Sequence, residues 1–197
     1  AYIWVLDKEG KMAEQLSAMS SITSNLNIGD KQEETVMSQN VIGVVEGTDP
    51  NLKGEYIIYS AHYDHVGIGA PDETGDTIYN GARDNAVGTT TVLAMAENLA
   101  KYPTKRSALF ILFTGEEKGL LGSQYYVENP VLPLNQMVYC FNSDNGGYND
   151  TSLATIVGLT RTTAEKNISD AVSAFGLKAI EDPAKEQGLF DRSDNVN

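Results

Sequence analysis

Apolar residues recur along this chain with two periods, near two and near 3.6, and the switches between them mark out its predicted elements. Met12, Leu16, Met19 and Ile22 stand three or four residues apart, the spacing of a short amphipathic helix over 11–22. "NVIGVVEG" (40–47) and "EYIIYSA" (55–61) are strand-like runs separated by the turn-rich "TDPNLKG". Residues 69–81, "GAPDETGDTIYNG", predict a polar, Gly-rich loop. "NAVGTTTVLAMAENLA" (85–100) predicts a helix with Val92, Ala96 and Leu99 on one face. "SALFILFTG" (107–115) is a near-continuous apolar run, the pattern of a central strand covered on both faces. "KGLLGSQYYVEN" (118–129) has a helical period and is closed by Pro130 and Pro133. "QMVYCFNSD" (136–144) reads as another buried strand and "LATIVG" (153–158) as a further one. "RTTAEKNISDAVSAFG" (161–176) reads as a helix with Gly176 at its C-terminal end.

Strands alternating with helices predict an α/β fold, a mostly parallel sheet sandwiched between helices. No internal repeat, low-complexity tract or linker interrupts the pattern, so one domain over 1–197 is expected, with 1–39 less clearly part of it. A chain of 197 residues is long enough for a full hydrophobic core. The 27 acidic residues against 14 basic ones give a net charge of −13, which argues against nucleic acid as a partner. That charge serves solubility, or some of its carboxylates hold cations. No run approaches the ~18 apolar residues of a membrane span. Cys140 is the only cysteine, so no intrachain disulfide forms, and its place in "MVYCF" predicts a buried, inert thiol. The opening "AYIWVLDKEG" lacks both an initiator Met and a leader pattern, as expected of a mature or excised piece.

In such a sheet, ligands bind beyond the carboxyl ends of the strands. Three strand-like runs end in metal-capable side chains: "YIIYSAH" in His62, "LFILFTGEE" in Glu116 and Glu117, and "YCFNSD" in Asp144. Asp84, in "NGARDNAVG", opens the helix that follows the first of them. Taken singly, each has an ordinary reading: an imidazole held by Asp64, a solvated turn, a helix cap, a loop aspartate. Together they place imidazole and carboxylate groups from separate elements at one sheet edge. Mixed nitrogen and oxygen donors suit Zn²⁺, with Co²⁺ or Mn²⁺ as alternatives. Two divalent ions sharing a carboxylate and a water would supply a nucleophile and stabilise the oxyanion of amide hydrolysis. A non-ligating carboxylate must then move the proton, and adjacent glutamates can divide the two tasks.

With "NVIGVVEGTDP", "YSAHYDHVG", "YNGARDNAVG", "FTGEEKGLLGS" and "NSD" in this order, the chain resembles the M28 metallopeptidases, co-catalytic zinc aminopeptidases and their relatives. The similarity runs from about Asn40 to Asn195. It implies a zinc-dependent exopeptidase-like fold, a peptide substrate and two zinc ions. It implies His62 and Asp144 on the first metal, Asp84 bridging the pair, Glu117 on the second, and Glu116 as general base. Asp64 would be the carboxylate that orients His62, and Asn85 fills a position the family often gives to Asp or Asn. His65 has no metal role in the family and is expected on a loop or pocket wall.

The family's last ligand is expected as a histidine in an S-D-H motif, where "FDRSDNVN" has Asn195. The chain also ends where the family continues with a strand and helix, which predicts a domain truncated at its C-terminal end. Three readings are open: an active aminopeptidase, a mono-zinc acyl-transfer enzyme resembling glutaminyl cyclases, and a binding module that has lost catalysis. The retained Glu116 argues against the third, and glutaminyl cyclases usually keep the terminal histidine, so the first is the main expectation. The resemblance further implies a secreted or periplasmic bacterial protein; oligomeric state is left open.

Overall fold

The computed structural model describes residues 36–146 and 150–197. The chain divides into two units, Ala1–Val36 and Met37–Asn197, and the sheets and helices named here belong to the second. The helix expected over 11–22 lies outside the described residues.

The most apolar run forms the centre of the sheet. Strands β1 (Val41–Val45), β2 (Tyr56–His62), β3 (Gly67–Ile68) and β4 (Ile78–Tyr79) precede helix α1 (Val87–Lys101). Then come β5 (Ser107–Phe113), α2 (Leu121–Glu128), β6 (Met137–Asn142), β7 (Leu153–Ile156), α3 (Glu165–Ala174) and β8 (Lys178–Glu181). Among the described residues the main sheet has four strands in the order β1-β5-β2-β6. β2 pairs in parallel with β5 and β6, while β1 runs antiparallel to β5 at one edge.

The period of two in β5 sorts its side chains onto opposite faces. Ala108 and Phe110 pack with Val92 and Leu99 of α1, and half-buried Ala96 joins them. Leu109, Ile111 and Phe113 pack with Tyr126 of α2 on the other face. Leu109 and Ile111 are among the most deeply buried side chains, and truncating either to Ala would cost ~2–5 kcal/mol of stability. Gly122 lets α2 approach the end of β5, since a Cβ there would stand 2.2 Å from the Thr114 carbonyl oxygen.

Four expectations change. The strand over 136–144 is an edge strand of the main sheet among the described residues, with Val138, Cys140 and Phe141 exposed rather than buried. An apolar run alone does not separate a central strand from an edge strand, and here β2 and β5 take the centre. The strand over 153–158 does not join that sheet but pairs in parallel with β8, which the hydrophobic pattern did not reveal. The loop over 69–81 is closed at its ends by the short antiparallel pairing of β3 with β4. The helix over 85–100 begins at Val87, after a wide turn at Ala82–Ala86 that carries Asp84.

Candidate metal centre

The carboxyl ends of β2, β5 and β6 point to one side of the sheet because the three are mutually parallel. His62 is the last residue of β2, Glu116 and Glu117 follow β5, Asp144 follows β6, and Asp84 stands in the turn before α1. The structure brings all five together with Asp64 and, unexpectedly, His65.

Buried polar groups fix this convergence. Asn85 is 2% exposed. Its amide donates to the carbonyls of His62 (3.2 Å) and Ser143 (2.9 Å) and accepts from the amides of Gly88 and Asn145. One side chain thus ties the ends of β2 and β6 to the start of α1. Gly88 is required there, because a Cβ would meet both the Asn85 amide oxygen and the Ser143 carbonyl at 2.3 Å. Thr89 adds a second hydrogen bond to the His62 carbonyl at 3.0 Å.

His62 is 1% exposed. Its Nδ1 faces the Asp64 carbonyl at 3.1 Å, whereas the Asp64 carboxylate is 3.8 Å away. The sequence led us to expect the carboxylate itself to orient this ring. Instead that carboxylate accepts the backbone N–H groups of Glu116 (3.2 Å) and Glu117 (3.3 Å). These amides open a short 3-10 turn, Glu116–Lys118, where free N–H groups need an outside acceptor. Asp64 therefore holds the turn that presents both glutamates.

The other ring nitrogen, Nε2, lies 3.1 Å from Asp144 Oδ1 and 3.2 Å from Asp84 Oδ1. Asp84 Oδ1 is buried and makes no hydrogen bond. With Nδ1–H given to the carbonyl, a neutral ring turns its lone pair towards two carboxylate oxygens, a contact that calls for a cation between them. Two donors on one tetrahedral zinc stand roughly 3.3–3.6 Å apart, close to the spacing seen. The residues therefore fit a metal ion. Without one, a proton fills the role: burial lowers the His62 pKa, but Asp144 and Glu116 outweigh it and raise it from 6.5 to about 9. Burial also raises Asp144, yet hydrogen bonds from His62 and Ser193 bring its pKa below the usual value.

Among the described residues the candidate ligand atoms form two sets, His62 with Glu116 and Asp144, and His65 with Asp84 and Glu117, each within 4.8 Å. Asp84 Oδ1 stands 3.2 Å from one imidazole and 3.9 Å from the other, between the two sets. Burial raises the Glu116 pKa from 4.5 to about 7, with His62 opposing and Asp144, Asp194 and Glu117 reinforcing. A carboxyl group near that value can both take and return a proton at neutral pH.

A sequence profile of peptidase family M28 matches residues 40–197. The chain belongs to peptidase family M28. It is 40% identical over 93 residues to Aminopeptidase YwaD of Bacillus subtilis, covering 47% of this chain and 18% of that protein. To a probable leucine aminopeptidase 2 of Aspergillus oryzae it is 30% identical over 129 residues, 66% of this chain and 23% of that protein. Among solved structures, BSAP, a zinc aminopeptidase from Bacillus subtilis, aligns with a TM-score of 0.55 and 27% identity over 72% of this chain and 34% of that one. A glutaminyl cyclase from Bacteroides thetaiotaomicron aligns with a TM-score of 0.57 at 20% identity, over 79% of this chain and 60% of that one, a likeness of fold alone. The chain spans about a fifth of the length of these curated relatives.

Within this M28 chain, Asn195 lines the same cavity as Asp84, Glu116 and Glu117, but its amide donates to the Phe190 carbonyl at 2.9 Å. Ser193 escaped the sequence reading, and His65 was expected only on a loop or pocket wall. Ser193 donates to Asp144 Oδ2 at 2.5 Å and accepts from Asn142 at 2.8 Å, so the "RSDN" segment holds a candidate ligand in place. His65 stands 2.6 Å from Glu117. Neither contact could be found by periodicity, because the partners lie 49 and 52 residues away.

Proposed function

We propose that this chain carries the catalytic centre of a zinc-dependent aminopeptidase that hydrolyses N-terminal peptide bonds. The observation that carries the reading is the pair of imidazole–carboxylate sets, Glu116 in the first and Asp84 in the second, facing each other across Asp84 Oδ1, a buried oxygen that accepts no hydrogen bond and stands 3.2 Å from His62 Nε2. His62, Asp84 and Asp144 would hold one zinc ion, and Asp84 with Glu117 a second. When bound, such ions supply a water that is nucleophilic at neutral pH and polarise the scissile carbonyl. Glu116 takes the proton of the attacking water at its carboxylate and returns it to the leaving nitrogen. Its raised pKa suits both steps.

The site opens into a cavity of about 560 Å³ whose walls include Tyr139, Phe141, Ile156, Leu189 and Phe190. Those side chains suit an apolar residue of a peptide, while the carboxylates suit its α-ammonium group. A second reading, a peptidase that binds a terminal carboxylate, draws on Arg161 and Arg192, which line the same cavity. Arg161 stacks over Phe190 at 3.7 Å.

Metal content and hydrolysis of leucyl-anilide, its N-acetylated form and N-acylated dipeptides test these readings together. The aminopeptidase reading expects bound zinc, turnover of the free-amine substrate and little turnover of the N-acetylated one. Turnover of N-acylated dipeptides alone would replace it with the carboxylate-binding reading. Undiminished turnover in Glu116→Gln would remove the proposed base.

A further inference from the structure

His65 has no part in the chemistry so far, yet it is tied into it. Its Nδ1 lies 2.6 Å from Glu117 Oε1 and 3.9 Å from Asp84 Oδ1. The ring is 22% exposed and tilts against Tyr79 of β4, with centroids 6.4 Å apart. On another side stands Gly81, where an added Cβ would lie 3.1 Å from His65 Cβ. The imidazole is thus seated between the β3–β4 hairpin and the turn that bears Asp84.

Distances decide between two parts it could play. Two atoms bound to one tetrahedral zinc stand roughly 3.3–3.6 Å apart. The contacts of His62 Nε2, at 3.1 and 3.2 Å, lie near that spacing. The 2.6 Å contact of His65 falls well inside it and at the short end of a hydrogen bond to a carboxylate. Its 3.9 Å separation from Asp84 lies outside on the other side. One nitrogen cannot sit that close to one ligand and that far from the other while sharing their ion in regular geometry.

Resting on the two-metal reading above, we infer that His65 is a positioning residue: it donates Nδ1–H to Glu117 Oε1 and fixes that carboxylate beside Asp84 for the second metal. Asp64, its neighbour in the chain, holds the same glutamate by its backbone N–H at 3.3 Å. Residues 62–65 thereby serve both halves of the centre. His62 is a ligand in the first, while Asp64 and His65 grip the backbone and side chain of a ligand in the second. A carboxylate held on both sides loses less freedom on binding an ion, and removing such a support costs about 10–100-fold in metal affinity.

The test is a Co²⁺ titration of the metal-stripped full chain, followed by visible absorption and calorimetry, for wild type, His65→Ala and His65→Asn. The expected result is an unchanged first equivalent in every protein. The second should weaken roughly 10–100-fold in His65→Ala and recover most of its affinity in His65→Asn, whose amide restores a donor. A second equivalent as tight in His65→Ala as in wild type would overturn the inference. Complete loss of that equivalent in both variants would also overturn it, by making His65 a ligand. A wild-type chain that binds a single equivalent in excess Co²⁺ would instead overturn the two-metal reading, and this inference with it.

Discussion

His62 and His65 stand three residues apart, yet the fold treats them differently. His62 ends a strand, is 1% exposed, and faces two carboxylate oxygens across distances that suit a shared cation. His65 stands in the loop beyond, is 22% exposed, and closes directly on one carboxylate. Around His62 the surroundings are hydrogen-bonded from several elements: Asn85 and Thr89 bind its carbonyl, and Ser193 holds the facing Asp144. Around His65 the support comes from a short hairpin and a turn. The first half of the centre is built into the sheet, the second is hung from loops, and their metal affinities should differ accordingly.

The widest break in that comparison should come from the residue common to both halves. Asp84→Ala is expected to remove both metal equivalents and all peptidase activity, measured by metal analysis after dialysis. Retention of either equivalent would separate the halves. Next, Glu116→Gln should lower kcat by roughly 100- to 10,000-fold while both equivalents stay bound, since Glu116 is assigned proton transfer in the proposed mechanism. Ser193→Ala should then weaken the first equivalent about 10–100-fold and spare the second, the mirror image of the His65 result.

Acidity offers a milder probe of the metal-free protein. The folded pKa of Glu116 is raised from 4.5 to about 7 and that of His62 from 6.5 to about 9. Both groups bind protons more tightly in the folded chain, so their stabilisation is full below the ordinary values and is lost as pH rises through the folded ones. The Tm of the metal-stripped chain should fall between pH 5 and 9, by about 2–4 °C for each kcal/mol lost. Saturating zinc should flatten that slope, because the ion takes over the proton's place; a flat profile without metal would contradict the assigned shifts. Asn195→Ala marks the small end, with less than roughly a twofold change in either equivalent, since its amide nitrogen donates to the Phe190 carbonyl and an amide oxygen is a poor zinc ligand beside imidazole and carboxylate.

The legible parts of the site share a physical origin. His62, Glu116, Glu117 and Asp144 follow apolar runs whose period and length mark them as strands. Side chains at the ends of parallel neighbours must converge, so spacing alone placed them. Asp64 was legible as a site residue but not in its contacts. Choosing between its carbonyl and its carboxylate as partner of His62 required knowing where the Glu116–Lys118 turn would lie. The edge position of β6 was illegible for a similar reason, because the order of strands is set by how the crossovers pack and not by the composition of any one run.

By itself, then, the sequence determined the period of each element, the two-faced burial of β5 and the residue types waiting at the strand ends. These follow from local sterics and from the removal of apolar surface from water, both of which act on near neighbours in the chain. Only the tertiary structure decided that β7 and β8 form their own sheet, that Ser193 buttresses Asp144 across 49 residues, and that His65 closes on Glu117 across 52. Such contacts are hydrogen bonds of a few ångströms between distant segments, and no periodicity encodes them.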